Sequence, residues 1–124
     1  MDFKYLAGLL DGDGSISLVK PKRGLKMYLF IQVTQLDSPE FRALAEEFDR
    51  DVWVVGTTSA GNPCAKIAWC GKDAEEILRQ AGPGLRLKAK QYAIYQEWLV
   101  ARAENDVDRV LQCREEMMAA NRLT

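Results

Sequence analysis

The stretch Tyr5-Leu-Ala-Gly-Leu-Leu-Asp-Gly-Asp-Gly-Ser15 decides how this chain is read. Its first half sets Leu6 and Leu10 on one stripe with Phe3, and Tyr5 and Leu9 beside them, which predicts a helix over residues 3–12. Gly8 and Gly12 share one face of that helix with Ala7 adjacent. Such a face lets a second helix approach closely, at some loss of helix propensity. The second half puts Asp11 and Asp13 at the C-terminal end, where the macrodipole disfavours an anion. A carboxylate held there needs a compensating cation. From Ser15 the period changes to two, so Asp13 falls at the edge of the sheet that follows. An aspartate that merely shapes a turn would satisfy the same letters.

The alternation after Ser15 puts Ile16 and Leu18 on one face and Ser15, Ser17 and Val19 on the other. A basic turn, Lys20-Pro-Lys-Arg-Gly-Leu25, leads to a second strand over 26–35. There Met27, Leu29, Ile31 and Val33 point inward, and Lys26, Tyr28, Phe30, Gln32 and Thr34 outward. Ser38 and Pro39 supply the N-cap and first position of a helix running to about Phe48. Residues 52–58 and 64–70 form a second hairpin around Ser59–Pro63, and a helix over 72–81 stops at Gly82-Pro-Gly. Two more helices follow over 86–103 and 106–121. The order is αββαββα with a helical tail, an α+β chain whose antiparallel sheet carries helices on one face. It reads as a single domain over 1–124, with a core at about 3–100 and a tail at about 104–122. Trp53, Trp69 and Trp98 are expected in the core. The open sheet face carries polar, aromatic and basic side chains, and a two-stranded ribbon of that kind fits the major groove of DNA.

The absence of histidine excludes His-based catalysis and His metal ligation, and the three cysteines lack any C-x-x-C spacing for zinc. No apolar run approaches the roughly 20 residues that span a bilayer, and Met-Asp-Phe-Lys is unlike a signal peptide. An intracellular, reducing setting follows, either the cytoplasm of a bacterium or phage host or an organelle, with no membrane partner. The net charge of −1 and pI near 5.5 weigh against a nucleic-acid ligand. The distribution weighs the other way. Residues 1–36 hold five bases against three acids, while residues 37–50 hold five acids against Arg42 and Arg50. Local sign governs contact with phosphate more than the total does.

Hydrolysis of a phosphodiester asks for a carboxylate of the Asp13 kind, because Mg²⁺ or another hard divalent cation binds through one or two carboxylates plus phosphate oxygens. One chain supplies one such helix, so an enzyme would need two chains related by a two-fold axis.

Tyr5–Ser15 resembles the signature of the LAGLIDADG homing endonucleases, and Gln32-Val-Thr-Gln35 and Leu85-Arg-Leu-Lys-Ala-Lys-Gln91 are similar to two further family segments. The resemblance covers roughly residues 4–100 and is to the single-motif, homodimeric type. It implies a four-stranded saddle over double-stranded DNA and staggered double-strand cleavage of a long, partly palindromic site. By the same resemblance Asp13 is the metal-binding catalytic acid, the Gly12 carbonyl a further ligand, and Gln35 and Lys88 are catalytic pocket residues. Asp11 would cap the motif helix. Leu6, Gly8, Leu9 and Gly12 would form the dimer interface. Contacts to DNA would come from Ser15, Ser17, Lys20, Lys22, Arg23, Lys26, Tyr28, Phe30, Gln32, Thr34 and Lys66. An intron-encoded or free-standing protein is expected.

On the residues alone, Lys88 reads almost as well as part of a solvated basic cluster with Arg86 and Lys90. Gln35 could equally just end its strand. Two departures from the family pattern stand out: Asp37-Ser-Pro-Glu occupies the place of a pocket arginine, and Lys66 is the only base between Val52 and Cys70. They keep open a cleavage-inactive DNA- or RNA-binding protein of the same fold, a maturase or regulator. A non-nucleic-acid interaction domain is favoured only by the pI.

Overall fold

The computed structural model describes residues 1–23 and 26–123; Gly24 and Leu25 of the expected basic turn, and Thr124, lie outside the described residues. Helix α1 (Phe3–Asp13) starts at Asp2, whose side chain accepts from the Tyr5 N–H, and ends directly in strand β1 (Gly14–Val19). Strand β2 (Tyr28–Leu36) pairs antiparallel with β1. Helix α2 (Pro39–Glu47) is capped by Ser38, whose Oγ accepts from the Phe41 N–H at 3.1 Å. Strands β3 (Trp53–Thr57) and β4 (Pro63–Cys70) form the second hairpin. Helix α3 (Gly71–Ala81) then leads through a 3-10 turn at Gly82–Gly84 to α4 (Ala89–Ala103) and α5 (Val107–Arg122). The αββαββα order and helical tail expected from the sequence are present, in an α+β fold.

The sheet order is β1-β2-β4-β3, so each hairpin contributes one central strand and one edge strand. Alternation sorts the faces as expected: Ile16, Leu29, Ile31, Val33, Ala65 and Ile67 are fully buried. Leu6 and Leu10 of α1, Leu78 of α3 and Trp98 of α4 join them in one core. Phe48 closes one end, with its ring edge-on to Phe3 at 5.4 Å and to Trp69 at 6.0 Å. The opposite sheet face carries no helix.

Trp53 is not a core residue. Every residue of β3 is exposed, and Trp53 is 49% exposed, because the helices cover the two central strands and stop short of this edge. Trp53 pairs in register with Lys66 and shares its outward face. Trp69 and Trp98 are buried as expected. No helix among the described residues is long and apolar enough to cross a membrane.

The junction of α1 with β1 leaves no room for a side chain. A Cβ on Gly14 would lie 2.7 Å from the Leu10 Cα, a backbone atom that cannot yield cheaply. Gly14→Ala is therefore expected to lower the unfolding free energy by about 1–3 kcal/mol, measured by urea denaturation. An unperturbed midpoint would contradict this packing.

Candidate functional site

The last carbonyls of a helix have no intrahelical partner, and in α1 two find different solutions. The Leu10 carbonyl accepts from the Gly14 N–H. The Asp11 carbonyl accepts from the Lys88 Nζ at 2.9 Å.

The two aspartates diverge sharply. The Asp11 carboxylate accepts three backbone N–H groups: Arg86 at 3.1 Å, Leu87 at 3.0 Å and Lys88 at 2.9 Å. Asp11 therefore holds the turn Arg86–Lys88 that leads into α4, and does not cap the motif helix as expected. The reason is geometric, since the end of α1 abuts the turn before α4, whose N–H groups converge on the Asp11 carboxylate. Burial pushes the Asp11 pKa up, but the Leu87, Lys88 and Arg86 N–H groups and the Lys88 ammonium outweigh it, holding the carboxyl below the ordinary 3.8.

Asp13 is exposed and, among the described residues, forms no ion pair. Its Oδ2 accepts from the Gln35 Nε2 at 2.5 Å. Gln35 lies at the end of β2, on the side of the strand that carries Val33, which brings its amide to the end of α1. Gly12, Asp13, Gly14, Ser15, Ser17, Lys88 and Asn121 line an open cleft of about 470 Å³. Lys88 is 6% exposed, so its ammonium is a held charge at the cleft wall and not part of a solvated cluster.

The fold is shared with proteins of known structure. The homing endonuclease I-CvuI, in complex with its target in the presence of Ca, superposes with a TM-score of 0.66 over 98% of this chain and 81% of that one, at 18% identity. The archaeal intron-encoded homing endonuclease I-Vdi141I, complexed with DNA, gives a TM-score of 0.69 over 95% and 82%, at 13% identity. This chain has the fold of the LAGLIDADG homing endonucleases. The LAGLIDADG meganuclease I-AabMI, bound to uncleaved DNA, matches 91% of this chain but 43% of its own, with a TM-score of 0.65 and 14% identity. Comparison with protein-family models and with curated protein sequences gives no match.

Within the LAGLIDADG fold the expected residues separate into three places. Asp13, Gly12, Lys88, Ser15 and Ser17 meet at the cleft, with Gln35 bonded to Asp13. Tyr28, Phe30, Gln32, Thr34 and Lys66 lie on the open sheet face beyond it. Lys20, Lys22, Arg23 and Lys26 are exposed at the far end of the β1–β2 hairpin. Of the four residues expected at a dimer contact, Leu6 cannot serve, because it is fully buried in the chain's own core. The exposed face of α1 carries Lys4, Tyr5, Gly8 and Gly12, with Leu9 half-buried beside them. Early in α2, Arg42 is engaged by Asp37 through two hydrogen bonds, so no arginine there reaches the cleft.

Sequence reasoning missed Asn121. Its Nδ2 donates to the Ile16 carbonyl at 2.8 Å and its Oδ1 accepts from the buried Gln91 at 3.4 Å, which ties α5 to the free edge of β1 at the cleft. The only signal was an uncharged polar residue near the end of an otherwise charged helix. Glu97, Cys113 and Glu116 also cluster, but the Arg109 guanidinium already bonds both carboxylates.

The folded pKa of Asp11 lies below its unfolded value. Its ionised form therefore stabilises the chain above the ordinary value, and the contribution is lost as pH falls through the folded value. Asp11→Asn is expected to lower stability at neutral pH by about 1–3 kcal/mol and to flatten the loss of stability in acid, followed by urea unfolding across pH 2–6. Equal stability of variant and parent would contradict the cap.

Proposed function

We propose that the chain is a site-specific DNA endonuclease of the homing type, hydrolysing phosphodiester bonds on both strands of duplex DNA with a divalent cation and acting as a homodimer. The position of Asp13 carries this reading: a carboxylate at a helix C-terminus, on the rim of the open sheet face, oriented by Gln35 and unpaired by any cation of the described residues.

The Asp13 carboxylate and the Gly12 carbonyl would hold the ion. Both donors are oxygens, and they sit at the negative end of the α1 dipole, which suits a hard cation such as Mg²⁺. When bound, the ion activates water and neutralises charge developing on the phosphate. The remaining work falls to side chains already in place. Gln35 fixes the direction of the Asp13 carboxylate. The Lys88 ammonium, anchored on the Asp11 carbonyl, offers a positive charge to the scissile phosphate. Lys20, Lys22, Arg23 and Lys26 supply sequence-independent contacts to the DNA backbone, which set register on the duplex.

The glycine face of α1 supports the dimer. A Cβ at Gly8 or Gly12 would meet nothing within 4 Å, so their smallness serves no packing inside the chain. An isologous contact across this face would bring two Asp13 residues together, matching two cuts in one duplex. The structural neighbours I-CvuI and I-Vdi141I are homing endonucleases solved with DNA, which supports the same ligand here. One observation favours a cleavage-inactive DNA- or RNA-binding protein instead: Lys66 is the only charged residue in the four strands.

Two experiments test the reading. Incubated with a library of target duplexes and Mg²⁺, the full chain is expected to cleave, and Asp13→Asn to cleave at least about a thousandfold more slowly, equivalent to ~4 kcal/mol, while still binding. Binding without cleavage by the parent chain would establish the inactive reading, and normal cleavage by Asp13→Asn would remove Asp13 from the chemistry. Gly8→Leu is expected to leave the fold intact and weaken self-association in analytical ultracentrifugation. A monomeric parent, or an unchanged dimer in the variant, would contradict the glycine contact.

A further inference from the structure

We infer that the duplex accepted by the open sheet face is rich in A·T pairs along each half-site, read largely through thymine methyl groups, with guanine specified at one position by Lys66. This rests on the DNA-binding reading above and says which DNA.

The inference comes from what the face can and cannot recognise. Strand pairing places outward residues in rows across the sheet. Ser17, Phe30 and Cys70 form one row and Ser15, Gln32 and Ala68 the next. Thr34, Lys66 and Trp53 form a third. In the major groove guanine presents only acceptors, N7 and O6, and is read by arginine or lysine. Within the four strands one cation, Lys66, can do so. Cytosine presents an N4 donor, read by a carboxylate, and the four strands contain no acid. Adenine presents an acceptor and a donor together, which a glutamine amide matches, and Gln32 stands at the centre of its row. Thymine presents its methyl group, which apolar side chains contact. Phe30, Ala68, Cys70 and Trp53 supply that surface, and Trp53 is half exposed for no reason internal to the chain. The hydroxyls of Ser15, Ser17 and Thr34 accept either pair. A face so composed has strong means of recognising A·T and one means of recognising G·C.

The exposed Leu36 at the end of β2, on the same side of its strand as Thr34, extends the same character. Lys20, Lys22, Arg23 and Lys26 are instead gathered at the hairpin end, where the proposed function gives them the phosphate backbone. In this reading charge sets affinity at the periphery, and apolar contact sets sequence at the centre.

The full chain, in Ca²⁺, is used to select duplexes from a pool with a randomised core. Recovered half-sites are expected to be dominated by A·T with a single preferred G·C pair. Lys66→Ala should reduce preference at that pair by roughly tenfold and leave the A·T bias. Replacing thymine by deoxyuridine in the selected site removes only methyl groups, and should weaken binding by about fourfold per contacted methyl. G·C-rich half-sites, or no base preference among retained duplexes, would overturn the inference. So would a guanine preference that survives Lys66→Ala. Unchanged affinity for the deoxyuridine duplex would assign the bias to duplex shape and overturn the methyl contacts. Retention of no duplex at all would sink the endonuclease reading itself, and this one with it.

Discussion

The carboxylate of Asp11, laid across the N–H groups of Arg86, Leu87 and Lys88, is the constraint on which the site depends. It solves two problems at once. The turn before α4 gains an acceptor for three N–H groups, and the end of α1 gains relief from an anion at its negative pole. The Lys88 ammonium closes the loop by donating to the Asp11 carbonyl. The end of α1 is thereby fixed against α4, and Asp13, two residues on, is delivered to the rim of the sheet with its carboxylate turned to Gln35. Through Gln91 and Asn121 the same helix α4 reaches α5 and the edge of β1. Every wall of the cleft is thus tied, within a few hydrogen bonds, to one aspartate that takes no part in the proposed chemistry.

The acidic balance of the chain is compatible with an anionic ligand because the acids are sorted away from it. On the helical side Glu75 pairs with Arg102, Glu76 with Arg79, Asp37 with Arg42, and Glu97 and Glu116 with Arg109. Arg102 is also stacked on the Trp98 ring at 4.5 Å. Each of these carboxylates is held by an arginine on the helical side, which weakens its field at the far sheet face, as does salt. The open face is free of carboxylates, and the hairpin end is basic. A total of −1 conceals an arrangement in which the helix layer carries the negative charge and the sheet faces outward nearly neutral.

The sequence was most informative where a period governs burial. Alternation in β2 predicted the inward set Leu29, Ile31 and Val33, and the shared faces of Ile16 with Leu18 and of Leu6 with Leu10 are both buried. It was least informative where a residue's role depends on a distant partner. Asp11 lies 75 positions before Arg86, and nothing local distinguishes an aspartate that caps its own helix from one that holds a distant turn. Leu6 was assigned to a dimer face because resemblance transfers letters without saying which side of the helix each occupies. Trp53 was placed in the core because size and hydropathy say nothing about being on an uncovered edge strand. Asn121 went unnoticed, since an asparagine in a charged helix has no pattern to break. The chemistry-bearing acid was legible, and the structure that holds it was not.

Native-state amide hydrogen exchange at Arg86, Leu87 and Lys88 tests the division between the two aspartates most directly. Protection of these three N–H groups should be lost in Asp11→Asn and retained in Asp13→Asn. Equal protection in both variants, or its loss in Asp13→Asn, would contradict the claim that one aspartate builds the site and the other is left free to act in it.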